Sequence, residues 1–81
     1  MYYVYVLKDD NGKLYIGRSD DLKTRIKDHL NKKVFTTKKY THPKLIYYEA
    51  YSERELSKDR EKKLKQFGSS YNGLLKRLKL K

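Results

Sequence analysis

Asp9-Asp10-Asn11-Gly12, a dense turn signal between two aromatic and β-branched runs, restricts this chain more than any other stretch. Residues 2–8 (YYVYVLK) predict a strand, and residues 13–18 predict its antiparallel partner. The loop length then decides which side chains share a face. A two- or four-residue loop ending at Gly12 would set Tyr15 on the face opposite Tyr5. A three-residue loop, Asp10-Asn11-Gly12 with a left-handed Gly12, pairs position 9 with position 13. Tyr5 then lies across from Gly17 and diagonal to Tyr15, on one face of the sheet. We expect that register.

The rest of the chain predicts helices around one more strand. Ser19 or Asp20 can cap a helix over residues 21–31, where Leu22, Ile26 and Leu30 recur as a buried stripe requires. Residues 32–43 form a basic loop ending at Pro43, and residues 45–51 (LIYYEAY) predict a third strand. Ser52 with Glu55 makes a capping box for a second helix running to about Phe67, with Gly68 as its stop. Leu56, Leu64 and Phe67 would form its apolar stripe, with Glu61 about 60° from Leu64 at the border. Ser69 or Ser70 caps a last helix carrying Leu74, Leu75 and Leu78. The order β-β-α-β-α-α predicts a mixed α+β fold: a small three-stranded antiparallel sheet flanked by helices. At 81 residues it is read as a single domain over residues 1–81.

Apolar residues make up 37% of the chain, so nine tyrosines must supply much of the buried area. The absence of cysteine excludes disulfides and thiolate metal sites. No run approaches membrane-spanning length, and MYYVYVLKDD lacks the basic-then-apolar order of a signal peptide. A soluble, cytoplasmic protein with no membrane partner is expected. Twenty-one Lys and Arg against ten Asp and Glu give a net charge of +11, which points to a polyanionic partner. A merely well-solvated surface is the ordinary alternative.

Several short motifs now stand in order: Tyr3-Val4-Tyr5, Tyr15-Ile16-Gly17, the run from Gly17 to Leu22 followed by Arg25 and His29, Pro43 with Leu45-Ile46-Tyr47-Tyr48-Glu49, and Arg60-Glu61-Lys62. This set, across residues 2 to 67, resembles the GIY-YIG nuclease family, in particular its small stand-alone branch related to the incision nuclease of bacterial excision repair. Tyr3 stands where the family's first motif opens with Gly. The resemblance implies an endonuclease that hydrolyses DNA phosphodiester bonds with one divalent ion, Mg2+ or Mn2+. It also implies motif tyrosines near the attacking water, an arginine on the first helix and one metal-binding glutamate.

Carried onto this chain, Tyr5 becomes the candidate general base or water-orienting group. Its ordinary pKa near 10 requires a nearby cation to lower it. Tyr15 would bind the phosphate or the water. Both tyrosines could equally be sheet packing. Arg25 and His29, four residues apart, project from one side of the first helix. The guanidinium suits a phosphate and the charge that builds on phosphorus. The imidazole could relay a proton, or be a half-buried histidine beside Leu30. Glu61 would hold the metal, or else balance Lys58 or Lys65; Glu49 and Glu53 are weaker metal candidates. Arg18, Lys32, Lys33, Lys38, Lys39, Lys62 and Lys65 are the expected nucleic-acid contacts, with Phe35 and Tyr40 available to stack on bases or to cover the loop's own hydrophobic edge. No element resembles a major-groove reader, so selectivity should concern DNA shape, such as branches or flaps in repair, or come from a protein partner. The alternative is a non-catalytic nucleic-acid-binding module or a subunit of a repair or restriction assembly.

Overall fold

The computed structural model describes residues 1–32 and 38–80. Its elements follow the expected order: β1 (Tyr2–Lys8), β2 (Leu14–Ser19), α1 (Leu22–Leu30), β3 (Lys44–Tyr51), α2 (Arg54–Lys65) and α3 (Ser69–Arg77). The sheet is antiparallel with strand order β2-β1-β3, which puts β1 in the centre and leaves β2 and β3 as edges.

The hairpin has the three-residue loop. Gly12 sits at φ 83° and donates to the Asp9 carbonyl at 3.1 Å, while Asp9 N–H reaches the Lys13 carbonyl at 3.0 Å. The buried Asp9 carboxylate holds the turn by accepting from the backbone N–H groups of Asn11, Lys13 and Thr41 at 2.9, 2.8 and 3.1 Å. Burial pushes its pKa up, but those three donors outweigh burial and hold it below the usual carboxylate range. Tyr5 therefore pairs with Gly17, and Leu7 with Tyr15, as that loop length dictates.

Alternation along β1 divides the interior. Val4 and Val6 join Ile16, Leu64 of α2 and Leu74 of α3 in the main core, with Tyr47, Tyr51 and Tyr71 packed around it. Tyr5 and Leu7 face the other way, toward α1. A bulge opposite Val6 and Leu7 inserts Ile46 into β3, so Leu45 still pairs with Leu7.

Several local expectations are corrected. The stripe of α1 is not Leu22–Ile26–Leu30: Leu30 is 56% exposed and His29 is the buried residue. His29 takes the inward place, where its ring packs against those of Tyr5 and Tyr15. In α2 the inward residues are Ser57 and Leu64, with Arg60 and Glu61 half-buried between them, whereas Leu56 and Phe67 are exposed. The Ser52–Glu55 capping box does not form. Glu53 is the N-cap and makes no side-chain cap bond, because the chain enters the helix one residue later than that box requires. The left-handed stop after α2 falls on Phe67 (φ 56°) rather than on Gly68, and the Phe67 ring packs edge-on against Tyr71 at 4.9 Å. α1 is capped by Asp21, which accepts from Thr24 N–H at 3.2 Å, and not by Ser19 or Asp20. Gly68 caps α3, in place of Ser69 or Ser70.

Candidate active site

Tyr5 is the hub. The hairpin register sets its ring beside Tyr15, with centroids 6.2 Å apart, and α1 lays His29 across both at 5.7 and 4.9 Å. The Tyr5 hydroxyl is 2.8 Å from His29 Nε2, and Arg25 Nε donates to the same oxygen at 3.4 Å. Gly17 makes room for this ring. A Cβ there would meet Tyr5 Cζ at 2.5 Å and Tyr15 Cε2 at 2.8 Å, which ordinary packing does not tolerate.

The electrostatics define proton positions. Burial raises the Tyr5 pKa to about 12, although the Arg25 hydrogen bond pulls the other way. The expected lowering by a neighbouring cation therefore does not occur, because loss of hydration outweighs one guanidinium at 3.4 Å. Burial also lowers the His29 pKa to about 4, with the Arg25 charge adding to it. Near neutral pH the pair is thus a protonated phenol and a neutral imidazole. Since Arg25 donates to the phenol oxygen, we assign the O–H as donor to an unprotonated Nε2. The Tyr5 bond raises the Arg25 pKa in turn, and Tyr15 contributes to the same end.

Glu61 lies on α2, which packs against β1 and β2. Its carboxylate contacts Arg18 Nε at 3.5 Å and Lys65 Nζ at 3.4 Å, and its charge reaches the Tyr5 phenol. Tyr5, Tyr15, Arg25 and His29 thus form one contiguous cluster, with Glu61 and Arg18 adjoining it rather than touching it. Among the described residues no group of three or more His, Asp or Glu gathers. A site built on Glu61 would therefore offer one protein carboxylate, and water and substrate phosphate would complete the shell, which suits Mg2+. Both Glu61 contacts are long, and among the described residues Arg18 Nε makes no hydrogen bond even to this carboxylate, so Glu61 is not locked in place.

Glu49 differs in this respect. It accepts from Arg60 at 2.9 and 3.0 Å, from Tyr47 at 2.7 Å and from Tyr51. Burial pushes its pKa up, but Arg60 and the two hydroxyls outweigh burial and hold it below the ordinary carboxylate value. A carboxylate so saturated is a structural clasp between β3 and α2 and has no lone pair to spare for a metal. Sequence reasoning named Arg60 only as part of a motif and missed this clasp. The signal was there: charged residues at 60 and 61 on a stripe whose neighbours 57 and 64 face inward.

The basic residues are spread more widely. Lys32 Nζ reaches the Lys38 and Tyr40 carbonyls at 3.4 and 3.5 Å. Lys38 and Lys39 line a cavity of about 300 Å3 beside His29. Lys62 is exposed on α2. Lys33 and Phe35 lie outside the described residues. Tyr40 is committed to packing: its hydroxyl donates to the Leu14 carbonyl at 3.1 Å, and its ring stands edge-on to Tyr15 at 6.3 Å. Arg54 and Tyr2, unremarked in the sequence, stack with the guanidinium 5.5 Å from the ring centre. No described helix is long and apolar enough to cross a membrane.

The model of the GIY-YIG catalytic domain matches residues 1–74. The chain is similar to the "UPF0213 protein in VLF1-GP41 intergenic region" of Autographa californica nuclear polyhedrosis virus, with 44% identity over 48 residues. That stretch is 58% of this chain and 46% of the viral protein, so the chain spans about half the length of this relative. No solved structure matches. With both hairpin tyrosines, the Arg25–His29 pair and Glu61 inside the matched residues, the chain belongs to the GIY-YIG family and carries its nuclease-type catalytic domain.

Proposed function

We propose that the chain is a divalent-metal-dependent endonuclease that hydrolyses DNA phosphodiester bonds, selecting DNA by structure rather than sequence. The observation that carries this reading is the Tyr5–His29 hydrogen bond of 2.8 Å with Arg25 on the same oxygen. It supplies a proton path ending on a neutral base. Water attacks phosphorus, and its proton passes to the Tyr5 oxygen as the phenol proton moves to His29 Nε2; the bond to the leaving strand oxygen breaks, and that oxygen takes a proton from solvent. Tyr5 acts as a neutral relay, since a phenol with a pKa of about 12 is not a phenolate near neutral pH. Arg25 grips a phosphate oxygen and offsets charge on the pentavalent centre, while Tyr15 orients the water. Glu61 would hold one Mg2+ or Mn2+, which supplies Lewis-acid stabilisation of the leaving oxygen.

One observation favours a second reading. Tyr5 is 0% exposed, so the attacking water reaches its hydroxyl only when neighbouring side chains move aside. A chain that rarely opens this way would bind nucleic acid through its basic surface without cutting it, as a binding module or as a subunit whose partner opens the site. The test is incubation with labelled plain, flapped and branched DNA, with and without Mg2+ or Mn2+, beside Glu61→Ala and Tyr5→Phe. Metal-dependent nicking that both variants lose supports the endonuclease. Salt-sensitive binding with every strand intact supports the module.

A further inference from the structure

Between the start of β1, the end of β2 and the first turns of α1 and α2 lies a second cavity of about 290 Å3. Tyr2, Arg18, Ser19, Asp20, Arg25 and Arg54 line it. Three guanidiniums face a single carboxylate there. Among the described residues, Arg25, Arg54 and Asp20 form no ion pairs, and Arg18 has only a long one, its buried Nε lying 3.5 Å from Glu61 without making a hydrogen bond. Three guanidiniums around one carboxylate repel one another, and the buried Arg18 Nε–H has no hydrogen-bond partner among the described residues, so an anion would complete the arrangement.

Arg54 is also prepared for one. Its guanidinium lies over the Tyr2 ring, 5.5 Å from the ring centre, and among the described residues its N–H groups make no hydrogen bond or ion pair. A guanidinium fork matches the oxygens of a phosphate group. The cavity holds roughly ten water volumes, enough for a phosphate with part of its hydration shell. Arg25 belongs both to this cavity and to the Tyr5 cluster, so whatever fills the cavity is next to the reacting centre.

We infer that Arg54, with Arg18 and Tyr2, forms a phosphate subsite that holds the backbone phosphate adjacent to the one cleaved; this rests on the nuclease reading above. The subsite positions the strand and takes no part in bond breaking. It takes the internal phosphodiester of a continuing strand, and a terminal phosphate has the same recognition chemistry.

Binding of labelled DNA without metal, across a salt series, tests the inference. Arg54→Ala should weaken binding about 5- to 20-fold and reduce the slope of log affinity against log salt by about one. Arg54→Lys should restore the slope but not the full affinity. Alanine suits a helix, so circular dichroism should show an intact fold. Strands with one neutral methylphosphonate linkage should lose affinity for the wild type at a single internal position, where Arg54→Ala is indifferent. An Arg54 dependence seen only with a terminal phosphate would overturn the placement beside the cleaved bond. Inorganic phosphate titrated against isotope-labelled arginine side chains reads the subsite without DNA, and the Arg54 and Arg18 Nε–H signals should shift. If they shift while no DNA is cut under any metal condition, the nuclease reading fails and the anion site stands. If Arg54→Ala binds and cuts DNA like the wild type, with the same salt slope, the subsite is wrong and the nuclease reading survives.

Discussion

Replacing Gly17 by alanine should damage the Tyr5–His29 cluster without removing any of its polar groups. The added methyl would lie 2.5 Å from Tyr5 Cζ and 2.8 Å from Tyr15 Cε2, whereas carbons settle near 3.5–4.0 Å, so the rings must retreat by roughly 1 Å. Tyr5 has nowhere to go: it is fully buried, with His29 Nε2 2.8 Å from its hydroxyl. Overpacking of this kind costs about 1–3 kcal/mol, offset by about 0.5–1 kcal/mol because alanine has less backbone freedom to lose than glycine. The thermal midpoint should therefore fall by several degrees, at about 4–8 °C per kcal/mol for a domain of this size. Cleavage should fall much further, about 100-fold, since a displacement of about 1 Å at a reacting group costs that much. Thermal melting by circular dichroism and single-turnover cleavage read the two effects separately. A Gly17→Ala protein that melts and cuts like the wild type would refute both the close approach and the role of the Tyr5–His29 bond.

Glu49→Ala should destabilise the fold by roughly 2–4 kcal/mol, because it leaves the half-buried Arg60 and two tyrosine hydroxyls without their acceptor; urea denaturation measures it, and a loss below 0.5 kcal/mol speaks against the clasp. His29 binds a proton at about pH 4 when folded against about 6.5 when unfolded. Its contribution is therefore complete above pH 6.5 and is lost as pH falls toward 4, by an upper bound of roughly 3 kcal/mol. Urea midpoints between pH 7 and 4.5 should show a smaller fall in His29→Gln than in the wild type, and equal falls would contradict the buried neutral imidazole. In alkali, Tyr5 and Tyr51 should ionise last, each near pH 12, by phenolate absorbance; Tyr5→Phe should remove one of the two. Glu61→Ala should abolish metal-dependent cleavage yet shift stability by less than about 1 kcal/mol, since its ion pairs at 3.4 and 3.5 Å are partly exposed.

Short-range chemistry decided what was readable beforehand. A left-handed Gly12 sets a three-residue loop, that loop sets the pairing of Tyr5 with Gly17, and the period of two along a strand puts Tyr15 on the same face. Element order and the Arg25–His29 side of α1 follow from similarly local rules. Helix ends and stripes were harder, because tertiary contacts override weak propensities. His29 displaced Leu30 from the interior since an aromatic ring fits between two tyrosines, and the α2 stripe kept Arg60 because Glu49 waits for it on β3.

The order of residues alone settled the hairpin register, the α+β architecture and which types of side chain were at hand for phosphate chemistry. Only the three-dimensional packing decided their states. It buried Tyr5 and His29 deeply enough to fix one as a phenol and the other as a neutral base. It saturated Glu49 while leaving Glu61 loosely held, and it brought Arg18, Arg25 and Arg54 from three separate elements around one cavity. Proton affinity and unpaired charge depend on hydration and on neighbours distant in the chain, and no local pattern encodes either.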